Sequence, residues 1–96
     1  MTLFYVYFLA SCKNGYLYIG VTKDLIGRVR KHKNNSLDGY AKKLGIHNLV
    51  YYETFDDINK AIAREKQLKK WKRQWKIKLI EKDNSDWKDL YPNLTL

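Results

Sequence analysis

The chain holds one cysteine in 96 residues, Cys12. A lone thiol makes neither an internal disulfide nor a thiolate zinc cage, and it suits a reducing, cytoplasmic setting. No stretch approaches the ~20 consecutive apolar residues that a membrane-spanning helix needs. The most apolar run, Leu3 to Cys12, ends in Leu9-Ala10-Ser11-Cys12, which has the look of a lipoprotein cleavage site. Yet no Lys or Arg precedes Lys13, and a secretory leader needs a positive n-region, so export is not expected. Acidic residues are scarce as well. Ten Asp and Glu face nineteen Lys and Arg, a formal net charge of +9. So small and basic a chain points to nucleic acid as its partner. An anionic membrane surface and a merely solvated charged surface are the weaker alternatives.

Hydrophobic residues make up 45% of the chain, which excludes disorder and supports a core. Phe4 to Ala10 is aromatic and β-branched and reads as a strand. Asn14-Gly15 suits a two-residue turn, and Tyr16 to Val21 is the return strand. Side chains alternate along a strand, so Tyr5, Tyr7 and Leu9 share one face and Tyr16, Tyr18 and Gly20 share another. With a two-residue turn, Leu9 falls opposite Gly20, and Tyr7 and Tyr18 point to the same side. Thr22 and Asp24 can cap a helix reaching about Lys33. A short helix over Gly39 to Leu44 stops at Gly45. Asn48 to Phe55 is a third strand, Asp56 or Asp57 starts a helix from Ile58 to about Trp71, and Arg73 to Lys82 is a last helix. Pro92 excludes a helix in the tail. The expected architecture is α+β, a three-stranded antiparallel or mixed sheet flanked by helices. Residues 1–84 form the domain, and residues 85–96 a tail folded back on it.

Some polar residues stand where the pattern calls for apolar ones. Ile58, Ala61, Ile62, Glu65 and Leu68 follow helical spacing, and Glu65 is the only charge on that stripe. A carboxylate there needs a cation, either a metal or a side chain such as Arg64 or Lys69. On the first helix, Leu25, Arg28, Val29 and His32 share a stripe, with Arg28 and His32 one turn apart. Arginine suits a phosphate, because its planar fork meets two oxygens. His32 taken alone reads as a structural histidine. The eight tyrosines taken alone read as strand formers.

Taken together these residues resemble a known pattern. Tyr5-Val6-Tyr7 and, after ten residues, Tyr18-Ile19-Gly20 are similar to the two halves of the GIY-YIG signature. Asp24-Leu25 with Arg28 and His32 resembles the first-helix motif of that nuclease family. Glu65, within Ala61-Ile62-Ala63-Arg64-Glu65-Lys66, resembles its metal-binding glutamate helix. Asn84, before Ser85-Asp86-Trp87, resembles its late asparagine. The first motif departs from the family by carrying Tyr5 and Val6 in the Gly-Ile places. Val21 follows Gly20 where DNA-repair relatives carry a lysine.

The resemblance implies a metal-dependent endonuclease that hydrolyses phosphodiester bonds in nucleic acid, DNA rather than RNA, with Mg²⁺ as cofactor and Mn²⁺ able to substitute. It implies that Glu65 is the metal ligand, that Arg28 stabilises charge on the five-coordinate phosphorus, and that Tyr18 is the general base with Tyr7 beside it. His32 would bind phosphate or relay a proton, Asn84 would orient the site, and Gly20 would let the backbone approach the substrate. Lys60 to Lys82 carries ten of the nineteen basic residues. Lys66, Lys69, Lys70 and Arg73 are the candidates there for the nucleic-acid backbone, and Trp71 and Trp75 read as partly core. No small-molecule cofactor and no membrane are expected, and a protein partner would supply specificity. The alternative reading is a nucleic-acid-binding module without catalysis.

Overall fold

A computed structural model of the chain describes residues 2–34 and 43–94. The sheet has the order β2-β1-β3 and is antiparallel throughout, with β1 at Phe4–Ala10, β2 at Leu17–Thr22 and β3 at Asn48–Phe55. β1 is central and covered on both faces. That is why Val6 to Ala10 is buried without interruption, where a half-exposed strand would alternate. Tyr7 pairs with Gly20 and Leu9 with Tyr18. This register differs by two residues from the one a two-residue Asn14-Gly15 turn would give. The turn lies earlier: the Gly15 amide donates to the Cys12 carbonyl at 2.9 Å, and Ser11 N–H donates to Tyr16 O at 3.1 Å. Only Asn14 takes positive φ there. A shift of two keeps every side chain on its face, so Tyr7 and Tyr18 still point the same way.

β3 pairs with β1 through a bulge. Phe8 faces Tyr51 and Leu9 faces Leu49, which leaves Val50 as the extra residue. The bulge changes the alternation of β3. Leu49 and Tyr52 thus join the face of Tyr7 and Leu9, and Val50 and Tyr51 join the face of Val6 and Phe8.

α1 (Leu25–Lys33) covers the Tyr7 face with Leu25, Val29 and His32. Asp24 caps it by accepting from the Gly27 amide at 3.0 Å, and Thr22 Oγ1 accepts from the Asp24 amide at the same distance. Of the short helix expected at residues 39–44, residues 39–42 lie outside the described residues. Lys43 and Leu44 are helical, and Gly45 follows with φ +68°. α2 (Ile58–Lys70), capped by Asp57, and α3 (Arg73–Asp83) cover the opposite face with Ala61, Leu68 and Ile80.

Residues 84–94 return across both layers. Trp87 enters the α2–α3 core, and its indole N–H donates to Glu81 at 2.7 Å. Leu90, Tyr91 and Leu94 enter the α1 core. The tail does contain a helical turn, α4 (Tyr91–Leu94). Pro92 is compatible with it because the first turn of a helix needs no amide donor.

Candidate active site

Gly20 and Tyr7 form the base of the site. A Cβ at position 20 would lie 2.5 Å from the Tyr7 hydroxyl oxygen and 2.6 Å from Cζ. The Tyr7 ring therefore occupies the space a side chain would take, and Gly20 itself is buried. The side of Gly20 on which a side chain would stand is thus filled by Tyr7.

Three rings meet at this point. The Tyr7 and Tyr18 centroids are 6.3 Å apart, Tyr7 and His32 6.2 Å, and Tyr18 and His32 5.1 Å. Tyr7 is 1% exposed and His32 4%, whereas Tyr18 is half-buried. Tyr18 is the most open ring of the three. Arg28 stands one turn before His32 on α1 and is exposed, and among the described residues no carboxylate pairs with it.

Glu65 belongs to the other layer. Its helix, α2, lies against both β1 and β2, on the face opposite α1. Its side chain is 16% exposed and pairs with Lys69, one turn on, at 3.4 Å. Lys69 is 53% exposed, so the pair is a surface one of small worth. Among the described residues no group of three or more His, Cys, Asp or Glu side chains is gathered to hold a metal. The Glu65 carboxylate is a single oxygen donor whose Lys69 partner is exposed and can turn away, and one carboxylate fits Mg²⁺, which takes one or two and keeps most of its waters.

Asn84 is engaged elsewhere. Its Nδ2 donates to Val50 O at 3.0 Å and to Lys88 O at 2.9 Å, and its Oδ1 accepts from Lys88 N at 2.9 Å. Every polar atom of the side chain is spent on backbone, so Asn84 fastens the tail to the β3 bulge. Lys66, Lys69 and Lys70 are exposed along α2. Arg73, also exposed, donates to Asn14 O and Gly15 O at 2.7 Å each and so braces the β1–β2 turn. Trp71 packs against the core, and Trp75 meets it edge-on at 5.9 Å. Trp75 is 49% exposed, more open than its place near an apolar stripe suggests.

A charged network that sequence reasoning did not find holds α2 to the sheet. Arg64 donates to both Glu53 oxygens, at 2.9 and 3.0 Å, and the Tyr51 hydroxyl donates to the same carboxylate. Burial alone would push the Glu53 carboxyl up. The hydrogen bonds from Arg64 and Tyr51, with the Arg64 charge, outweigh burial and hold it below its ordinary value. Burial and then the bond to Glu53 raise the Tyr51 phenol. The signal in the sequence was a glutamate as the one charge in its strand, with no way to name its partner.

Residues 3–78 match the family of the GIY-YIG catalytic domain. The chain belongs to that family. GIY-YIG domains are nuclease domains, so membership makes this a chain of a nuclease family. It is similar to a UPF0213 protein of Staphylococcus saprophyticus, 42% identical over 76 residues that cover 79% of this chain and 92% of the relative. A UPF0213 protein of Staphylococcus epidermidis is 38% identical over 74 residues, covering 77% and 90%. The solution NMR structure of a UPF0213 protein from Bacillus halodurans aligns with a TM-score of 0.56 at 29% identity, covering 91% of this chain and 92% of that one. The GIY-YIG match includes Tyr7, Tyr18, Gly20, Arg28, His32 and Glu65, and it stops before Asn84. Among the described residues no helix is long and apolar enough to cross a membrane.

Proposed function

We propose that this chain is a metal-dependent endonuclease acting on phosphodiester bonds, with DNA as its substrate. The observation that carries the reading is the ring cluster: a half-buried Tyr18 backed by a buried Tyr7 and a buried His32, with an exposed Arg28 one turn away.

Tyr18, as phenolate, accepts a proton from the attacking water. An ordinary phenol is too weakly acidic for this at neutral pH, and nearby positive charge is what lowers it. Tyr7, wedged on Gly20, keeps the Tyr18 ring in place. His32 is too deeply buried to touch a phosphate, so of its two expected roles the relay remains: it takes the proton on from Tyr18. Arg28 binds the scissile phosphate and stabilises the charge that builds on phosphorus. Glu65 would hold Mg²⁺ or Mn²⁺, which when bound supplies charge neutralisation at the phosphate and the leaving oxygen. Lys66, Lys69 and Lys70 hold the flanking backbone as point charges. No base-reading element is evident in these contacts, so sequence choice is low or comes from a protein partner. Cys12 is exposed and unpaired, in keeping with a reducing compartment such as the cytoplasm.

The test is incubation with end-labelled single-stranded, duplex and branched DNA and the matching RNAs, in Mg²⁺, Mn²⁺ or EDTA. Metal-dependent cleavage of DNA is expected. Salt-sensitive binding with no cleavage in either metal would make the chain a binding module instead.

A further inference from the structure

We propose that residues 84–94 form a strap that sets the position of α1, with Asp89 as a positioning residue for the Tyr18–His32 pair. Its catalytic consequence rests on the nuclease reading above.

α1 is nine residues long, too short to be stable alone, so its place depends on what it packs against. Its principal neighbours among the strands and helices are β3 and the strap's own α4. Leu90, Tyr91 and Leu94 pack into the same core as Leu25 and Val29.

Asp89 joins all three pieces. Its Oδ1 accepts from the β3 amide of Leu49 at 3.0 Å and from the Tyr91 amide at 3.1 Å, while its Oδ2 pairs with the Lys33 ammonium. Lys33 is the residue after His32. It also donates to His47 O at 3.1 Å and stands 5.2 Å from the Tyr91 ring centroid. Tyr91 in turn accepts from Arg30 Nε at 3.2 Å. The strap is fixed at its origin by Asn84 on the Val50 bulge and at its middle by Leu90 N–H on Leu49 O, 2.7 Å.

One end of this chain of bonds is rigid sheet and the other is the last turn of α1. Lys33 and Asp89 are 24% and 27% exposed, sheltered enough for their bond to resist screening. Pulling Lys33 toward Asp89 fixes the last turn of α1, and with it the His32 ring 5.1 Å from Tyr18. Residues 84–94 lie beyond the stretch that matches the GIY-YIG domain.

The experiment is proton NMR of the His32 ring together with single-turnover kinetics in wild type, Asp89→Ala and Asp89→Glu. There are only two histidines, so His47→Gln assigns the resonances. Ring currents from Tyr18 and Tyr7 mark the position of His32. In folded Asp89→Ala the His32 resonances should move and the cleavage rate should fall, on the order of 10²-fold for a displacement near 1 Å, with substrate affinity little changed. Asp89→Glu should recover both. If Asp89→Ala does not fold, Lys33→Met breaks the same bond from the other side and carries the same expectation. His32 resonances that stay in place in a folded variant would overturn the strap, whatever the kinetics. A wild type that does not cleave would overturn the nuclease reading alone, and the resonances would still decide the strap.

Discussion

Tyr7 lies directly on Gly20, closely enough that a single added methyl group at position 20 would come within 2.5 Å of the Tyr7 hydroxyl oxygen. The two residues are register partners on neighbouring strands, so neither can step aside without disturbing the ladder. Gly20→Ala should therefore destabilise the fold by ~1–3 kcal/mol, the usual cost of overpacking a tight core. Tyr7→Leu should remove most of that penalty in the double variant. A double-mutant cycle read by urea denaturation checks this, and additive single effects would show that the contact is not the cause.

Tyr18→Phe keeps the ring and its packing and removes one oxygen. Cleavage should slow by ~10²–10⁴-fold, the typical cost of losing a general base, with little change in nucleic-acid affinity. Single-turnover rates and a fluorescence-anisotropy titration measure the two separately. Full activity would take tyrosine out of the chemistry.

Glu53→Gln tests the network that holds α2. At neutral pH the variant should lose about 1–3 kcal/mol, because Arg64 is left with a weaker, uncharged partner. The Glu53 carboxyl is held below its ordinary value of 4.5 in the folded chain. Its stabilisation is therefore complete above the unfolded value and disappears as pH falls through the lower, folded one. Melts of wild type and variant should converge on acidification. A gap that persists in strong acid would place the effect in packing instead of charge.

The strands were legible because β1 and β3 are rich in aromatic and β-branched residues, and β3 spans the residues expected of it, Asn48–Phe55. Caps at Asp24 and Asp57 were legible for a local reason, since each side chain accepts from an amide two or three residues on. What escaped depends on residues far apart. The hairpin register turns on the Gly15–Cys12 bond rather than on the Asn-Gly dipeptide. Asn84 and Glu53 are polar residues whose partners, Val50 and Arg64, lie 34 and 11 positions away. Tyr7, Tyr18 and His32 stood out through the resemblance to the GIY-YIG pattern. Their contact, and the burial that separates the half-buried Tyr18 from its two supports, belongs to the tertiary structure.

On the proposed nuclease reading, the Glu65 carboxylate serves the metal and not the fold. Among the described residues Glu65 pairs with the half-exposed Lys69, a bond of ~0.2–1 kcal/mol at most, so Glu65→Gln should fold and melt close to wild type in EDTA. The decisive measurement is single-turnover cleavage of labelled DNA by wild type and Glu65→Gln across a Mg²⁺ titration. Wild type should cleave in a metal-dependent way, and the variant should lose cleavage without losing DNA binding. A Glu65→Gln protein that cleaves at the wild-type rate with the same Mg²⁺ dependence would contradict that reading.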